Sequence, residues 1–332
     1  MIHRLEVELK ILVTGGAGYI GSHFVNHLTG KNVDVVVIDN LCRGHKEAVH
    51  SNAVLEKIDI LDYDNLFKAL SFHKPDAVVH FAAFAYVGES VENPLLYYNN
   101  NVIGSFNLIK ACKEVGVNKF IFSSTCSIYG NPDKIPIGED QKSNPINPYA
   151  NTKLTIEKIL NDFDDAYGMK YISLRYFNAA GADPSGLIGE SHLPEPHLVP
   201  IVLETALGKR DKVLVFGDDY STNDGTCIRD YIHVNDLADA HLKAIDYLYN
   251  VGDSQIINLG TGVGNSVLDI INRAIKITGK NINYQIVERR AGDPAVLVAD
   301  FTKAEKLLNW KPKFSIDQII STAWNWHQNP KY

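Results

Sequence analysis

The chain has 332 residues, 45% of them hydrophobic, enough for one large or two moderate domains with a sizeable core. A formal net charge of -7, without a long basic run, gives no electrostatic reason to bind nucleic acid or an anionic membrane, and no uninterrupted apolar stretch is long enough to cross a bilayer. Four cysteines, Cys42, Cys112, Cys126 and Cys227, lie far apart without a CxxC pair, which argues against a disulfide framework or a structural zinc site and fits a reducing cytoplasm.

Residues 1–9 carry acids where a signal peptide would be apolar and are expected to form a poorly ordered leader. The apolar run at 11–14 ends in Gly15-Gly16-Ala17-Gly18-Tyr19-Ile20-Gly21, after which Phe24, Val25 and Leu28 resume at helical spacing. That reads as strand, tight turn and helix. Gly15, Gly18 and Gly21 let the backbone turn, approach a ligand and pack helix on strand, leaving the amides around Tyr19 and Ile20 at a helix N-terminus to face a diphosphate. A second run, 33–38, ends in Asp39, where an acid would hold ribose hydroxyls and repel a 2'-phosphate, so NAD is favoured over NADP.

Alternation continues with apolar runs at 53–57 and 77–83, a predicted helix over 94–115 and a strand at 120–124. The pattern implies a Rossmann-type, doubly wound parallel sheet with ligands beyond the strand C-termini. Asp59, Ile60, Phe81 and Ala82 fall on that side, Asp59 near adenine, with plain strand-end residues as the alternative. Asn100 and Asn101 interrupt an apolar helix, where either a buried hydrogen bond or a cofactor contact would account for them. At Ser124-Thr125-Cys126 a strand end delivers hydroxyls; Thr125 either shares a proton with a substrate oxygen or satisfies its own turn.

Pro148-Tyr149-Ala150-Asn151-Thr152-Lys153 places a tyrosine and a lysine on one helical face. A fixed ammonium one turn away favours the phenolate of a group with an ordinary pKa of about 10. Tyr149 and Lys153 are thus a candidate base for an alcohol proton, against the alternative of an ordinary amphipathic helix. After residue 174 the alternation weakens. The Gly- and Pro-rich stretch 178–200 is predicted to be an irregular binding loop that opens a smaller C-terminal substrate-binding domain, 178–332 against 1–177, with some exchange of elements. Glu190, His192, Glu195 and His197 fall in this loop, but prolines break any helical ligand face and no metal is expected. Helical spacing returns at 266–278, 302–308 and 316–326, with Trp310, Trp324 and Trp326 expected to pack this domain on the first.

The glycine turn, Asp39, Thr125 and Tyr149-x-x-x-Lys153 together resemble an extended short-chain dehydrogenase/reductase. Asp39-Asn40-Leu41, His80-Phe81-Ala82, Val87-Gly88-Glu89-Ser90, Tyr97-Tyr98-x-Asn100-Asn101-Val102, Arg175-Tyr176-Phe177-Asn178, Arg229-Asp230-Tyr231-Ile232-His233-Val234 and Gly262-Val263-Gly264-Asn265-Ser266-Val267 are similar to the branch that epimerises UDP-hexoses at C4, across nearly the whole chain. The resemblance implies a retained NAD, with Tyr149 taking the sugar 4-hydroxyl proton while C4 gives up hydride. Lys153 would hold the nicotinamide ribose, Thr125 would assist, and Asn40, Ile60, Asn100 and Phe177 would join the cofactor contacts.

For the substrate it implies Arg229 and Arg290 on the diphosphate, Asp293 on the uridine ribose, and Asn178 on the diphosphate or sugar. His197 and Leu198 would add contacts and Tyr231 would support the site, while Arg289 and Lys212 read as solvated charges. Phe216, with Leu214, sits where the family packs uracil, core packing being the alternative. Leu297 stands where an aliphatic residue leaves room for an N-acetyl group on the sugar, or else is core. Ala85 and His197 depart from a lysine and an asparagine that the family often has. A 4,6-dehydratase would need an Asp-Glu pair where Cys126 and Ser127 stand, and a nucleotide sensor would not need Thr125, Tyr149 and Lys153. A related pentose or uronate epimerisation stays open. Family members dimerise through helices matching 94–115 and 148–168, so a homodimer is expected.

Overall fold

Strands β1 (Lys10–Thr14), β2 (Asp34–Ile38) and β4 (Ala77–His80) are buried along nearly every residue, as strands covered on both faces must be. The computed structural model describes residues 9–290 and 293–332. The expected leader thus lies outside the described residues except for Leu9, whose carbonyl accepts from Asp34 N.

Between and after these strands come α1 (Tyr19–Thr29), β3 (Val54–Glu56), α2 (Tyr63–His73), α3 (Val87–Glu92), α4 (Pro94–Tyr97), α5 (Ser105–Val115) and β5 (Lys119–Thr125). There follow α6 (Pro148–Tyr167), β6 (Lys170–Tyr176), β7 (Asn178–Ala180), α7 (Leu198–Ala206), β8 (Val213–Phe216), β9 (Ile228–His233), α8 (Val234–Asn250) and β10 (Gln255–Leu259). The chain closes with β11 (Gly264–Ser266), α9 (Val267–Thr278), β12 (Tyr284–Val287), β13 (Val296–Leu297), α10 (Thr302–Leu308) and α11 (Ile316–Gln328).

The chain forms two compact units. Unit 1 takes the chain up to Ile128, Pro145–Arg175 and Ala238–Ile257; unit 2 takes Tyr129–Asn144, Tyr176–Leu237 and Asn258–Tyr332. Relative to a single cut after residue 177, each unit therefore borrows a segment from the other half.

Unit 1 is built on a seven-stranded sheet in the order β10-β6-β5-β4-β1-β2-β3. The doubly wound sheet expected from the alternation is present. Parallel register sets Thr14 beside both Ile38 and His80, so Gly15, Asp39 and Phe81 emerge together where the strand order reverses. Leu12, Val36, Ile38, Leu66, Leu70, Val78, Leu108, Phe120, Ile156 and Leu160 form a core of this unit.

In place of one helix over 94–115, α4 and α5 are joined by a π-helical stretch, Tyr98–Gly104. Its buried asparagines explain the widening. Asn101 Oδ1 accepts from Phe84 N at 2.9 Å, and its Nδ2 donates to Phe84 O and Thr152 Oγ1. Asn100 Nδ2 in turn donates to Asn101 Oδ1. The residue ending the stretch must be small, because a Cβ on Gly104 would lie 2.6 Å from Ile60 Cδ1.

Unit 2 holds the strands β11-β9-β13 with β7 also on β9, a separate β8-β12 pair, and a core drawn from α7, β8, α9 and α11 that includes Val199, Leu203, Val213, Val215, Ile270, Ile271, Ile319 and Ile320. The stretch 178–200 is irregular only over 181–197, since β7 opens it and α7 starts at Leu198. The tryptophans make their described contacts inside unit 2. Trp310 donates to Asp236 O, Trp326 donates to Glu190 O, and Trp324 packs on the unit's core.

Candidate active site

In unit 1 the three glycines of the first turn meet different demands. A Cβ on Gly15, whose φ is +72°, would lie 2.5 Å from Ala82 N, and one on Gly21 would lie 2.2 Å from Gly15 O. Both are therefore required by the chain itself. A Cβ on Gly18 would meet only Gly15 O at 3.4 Å, an ordinary contact, so the chain leaves room there for a ligand to come close. Gly18 is also the N-cap of α1; it supplies no side-chain cap, and the first turn, with Tyr19, Ile20 and Gly21, has no acid. An uncapped, acid-free helix start at a sheet switch point fits a diphosphate.

Asp39 ends β2 with Oδ2 accepting from Ala17 N at 3.0 Å and Oδ1 from Leu41 N at 2.8 Å; burial raises its pKa while those two bonds lower it. Asn40 Nδ2 donates to Asp59 Oδ2 at 2.8 Å, and Asp59 Oδ1 accepts from Leu61 N, so the ends of β2 and β3 present Asp39, Asn40, Asp59 and Ile60 as one polar ledge. Phe81 and Ala82 both donate backbone N–H to Thr14 O, and the Phe81 ring packs against Phe24 and His241. These residues fit NAD: a backbone cradle, a helix start for phosphates and a ribose acid.

The catalytic candidates converge at the end of β5. Lys153 Nζ donates to Ser123 O at 2.7 Å, and the Thr125 hydroxyl hydrogen-bonds the Tyr149 hydroxyl. Thr125 Oγ1 also accepts from Ser127 N at 3.2 Å, so it satisfies its own turn while remaining bonded to Tyr149. The lowered phenol pKa expected from the pair is not what this arrangement gives. Burial pushes Tyr149 up to about 12, with the Thr125 bond pulling it down and the Cys126 thiol pushing it up, even though the residue is only half-buried. Burial also brings Lys153 down to about 7, with Glu157 opposing, so the cation is itself weakened; its nitrogen lies 6.0 Å from the Tyr149 ring centre.

Sequence reasoning missed the support of this trio. Glu157, one turn beyond Lys153, accepts from Ser124 Oγ at 2.6 Å and from Arg175 Nε at 2.9 Å, all of them buried. Consecutive residues of β5 thus hold Lys153, Glu157 and Tyr149 in turn. The available signal was an acid at i+4 from the lysine, between the apolar Ile156 and Leu160. Glu89 was likewise quoted only as motif, yet it accepts two bonds from Arg43 NH2 at 2.7 Å and one from the Tyr97 hydroxyl at 2.6 Å, pinning the segment after β4. Ala85 in that segment is exposed.

Unit 2 gathers most of the expected substrate residues. Asn178 pairs with Tyr231 across β7 and β9, and its Nδ2 donates to Asp230 O; Leu297 pairs with Arg229 across β13 and β9. Arg229 NH2 donates to Asp293 Oδ1 at 2.5 Å, the Arg290 guanidinium lies 3.9 Å over the Phe216 ring, and Asp293 N donates to Arg290 O. Cys227 feels the charges of Arg229, Asp293 and Arg290 together. Tyr231 is buried and its phenol is pushed far up by that burial. Leu198 begins α7 and packs on the core that includes Tyr231. Arg289 and Lys212 pair at the surface with Asp219 and Gln285, as expected of solvated charges. Phe177 also belongs to unit 2, buried, with its N–H donating to Leu259 O.

His197 departs from this group. Its Nδ1 lies 2.6 Å from Glu190 Oε1 and 3.2 Å from Glu195 Oε1, and His192 joins the same carboxylates. The prolines leave no helical ligand face over these four residues, as expected, yet their side chains meet. An irregular loop brings its side chains to one point without a helical face.

The NAD dependent epimerase/dehydratase family matches residues 11–260. A UDP-glucose 4-epimerase of Lacticaseibacillus casei is 50% identical over 97% of this chain and 97% of its own. The UDP-glucose 4-epimerase of Brucella ovis, solved in complex with NAD, superposes with a TM-score of 0.93 at 48% identity, over 95% of this chain and 97% of that one. The Bifidobacterium longum UDP-glucose 4-epimerase, solved with NAD+ and UDP, gives 0.92 at 40% identity, over 97% and 99%.

Proposed function

The chain belongs to the NAD dependent epimerase/dehydratase family, in its UDP-glucose 4-epimerase branch, and from that premise we propose which side chains carry each step. The activity is NAD-dependent inversion at C4 of a UDP-hexose, interconverting UDP-galactose and UDP-glucose through a transient 4-ketone. Bound NAD supplies a hydride acceptor and donor for C4, and its oxidised ring supplies positive charge that favours the Tyr149 phenolate. Gly18 and the start of α1 hold its diphosphate, and Asp39 its adenosine ribose.

The Tyr149 phenolate takes the 4-hydroxyl proton, directly or through Thr125, as C4 is oxidised, and returns it after the ketone has presented its opposite face. Lys153, fixed by Ser123 O, orients the cofactor ribose. Arg229, Arg290 and Asn178 hold the UDP diphosphate; Asp293 binds its ribose once released from Arg229, and Phe216 stacks with the base. The observation that carries the reading is the Tyr149–Thr125 hydroxyl pair one helical turn from a buried lysine. Cys126 and Ser127 stand where a dehydratase needs two carboxyl groups, which supports simple inversion.

The quaternary state is a homodimer through the helices of 94–115 and 148–168, where Leu95, Ile103 and Phe106 are exposed, with Val91 just before them. Four free thiols, with Cys42 exposed, support residence in a reducing compartment. The test is to incubate purified protein, without added NAD, with UDP-galactose and separately with UDP-N-acetylgalactosamine, following C1 protons by NMR. Inversion of UDP-galactose without net NADH is expected, and the second substrate reads out the room beside Leu297. Loss of the 6-hydroxyl, or no turnover with NAD supplied, would reject the assignment.

A further inference from the structure

The loop between β7 and α7 has no strand or helix of its own over 181–197, yet it buries two carboxylates side by side. The Glu190 and Glu195 side chains are each only 3% exposed. Two buried anions so close are costly unless positive charge lies between them. Nδ1 of His192 lies 3.3 Å from Glu190 Oε1 and 3.5 Å from Glu195 Oε2, and Nδ1 of His197 lies 2.6 and 3.2 Å from Oε1 of the same two residues. One ligand atom from each of the four lies within 4.8 Å of all the others. Among the described residues no other set of three or more His, Cys, Asp or Glu side chains converges in this way.

An imidazole nitrogen this near a carboxylate oxygen needs a proton or a metal ion between them. Three of these separations, 3.2, 3.3 and 3.5 Å, match the spacing of about 3.3 Å between ligand atoms of a tetrahedral ion with bonds of about 2.0–2.1 Å, while the 2.6 Å His197–Glu190 contact is that of a hydrogen bond and opens when a metal enters. Glu190 Oε1 is buried, and the two imidazoles beside it are what offset its charge. Two imidazoles with two carboxylates suit a borderline divalent ion such as zinc better than calcium or magnesium, which prefer oxygen ligands throughout. The His197 side chain is 45% exposed, which leaves a way in.

We propose that Glu190, His192, Glu195 and His197 form a binding site for one zinc-class divalent cation that clamps the 181–197 loop to the start of α7. Its role is positional. The clamp ends at His197, immediately before Leu198, so metal binding stiffens the entry to a helix whose first residue packs on the core that includes Tyr231. Trp326 gives a reporter, because its Nε1 donates to Glu190 O at 2.9 Å.

The experiment uses the full chain stripped with EDTA, then dialysed against zinc with bound metal counted by atomic emission, and separately titrated with cobalt. One zinc per chain is expected, with visible cobalt bands of four-coordinate intensity and a fall in tryptophan fluorescence. His192→Gln and Glu195→Gln should each weaken binding at least about tenfold, with circular dichroism checking that they fold. Cys42→Ser, which removes the exposed thiol, should leave binding unchanged. Absence of stoichiometric zinc binding would show that protons alone bridge the cluster and overturn the proposal. So would binding that survives both His192→Gln and Glu195→Gln. Should either variant fail to fold, the cobalt spectrum of the unmodified chain decides: bands of an octahedral, all-oxygen ion would exclude the two imidazoles.

Discussion

Tyr149 and Lys153 share a helical face, and the same burial displaces both from their ordinary titration, the phenol up to about 12 and the ammonium down to about 7. A buried lysine of this kind has a signature in stability. Between about pH 7 and 10.5 the unfolded chain keeps a proton that folded Lys153 gives up, so unfolding takes up a proton and stability rises with pH through that window, by up to about 1.4 kcal/mol per pH unit. In NAD-free protein, urea unfolding from pH 7 to 9 should show the stability of wild type growing relative to Lys153→Met; parallel curves would mean that the lysine is charged in the fold. Tyr149→Phe should lower kcat by about 10²–10⁴-fold, with the NAD content of the purified protein unchanged. Gly18→Ala should leave the unfolding midpoint nearly as it was, because its Cβ would meet only Gly15 O at an ordinary contact distance, yet should weaken NAD retention, measured by release of nucleotide on dialysis.

At the level of elements, the catalytic helix is positioned from two sides: β5 holds α6 through Lys153, Glu157 and Tyr149, while the π-helical stretch holds it through Asn101 and Thr152. Asn101→Ala should leave the Phe84 N–H and C=O without their side-chain partner and cost about 1–3 kcal/mol for each group left unsatisfied, read as a lower urea midpoint. The π-helical stretch could not be read from periodicity, because a widened turn retains helical spacing on either side. The glycine turn and Asp39 were legible because their spacing follows from how a strand meets a helix. The Glu190–His197 convergence was not legible, because irregular backbone has no period from which to infer direction. Glu157 was visible in principle, but a charge at i+4 is usually a surface ion pair until burial is known.

For the molecule as a whole, apolar residues left in water on one stretch of unit 1 mark where a second copy would sit. Val91, Leu95, Ile103 and Phe106 are between 41% and 79% exposed within sixteen residues of chain. Phe106→Asp should shift the light-scattering mass of the purified protein from twice the chain mass toward the chain mass; an unchanged dimer would place the interface elsewhere. The two-part organisation was legible in the fading of strand–helix alternation after residue 174. The return of Ala238–Ile257 to unit 1 was not, since β10 looks locally like any buried strand.

That return governs how the chain can be made. β10 is the edge of the seven-stranded sheet beside β6, and it leaves the ribosome only after about half of unit 2 has been synthesised. Until then β6 is an open, sticky border on a half-built sheet, the kind of surface that nascent chains offer to one another or to a holding chaperone. The unit built on this sheet is therefore not a module that translation can finish first, and a messenger cut short before residue 257 yields a liability instead of a smaller protein.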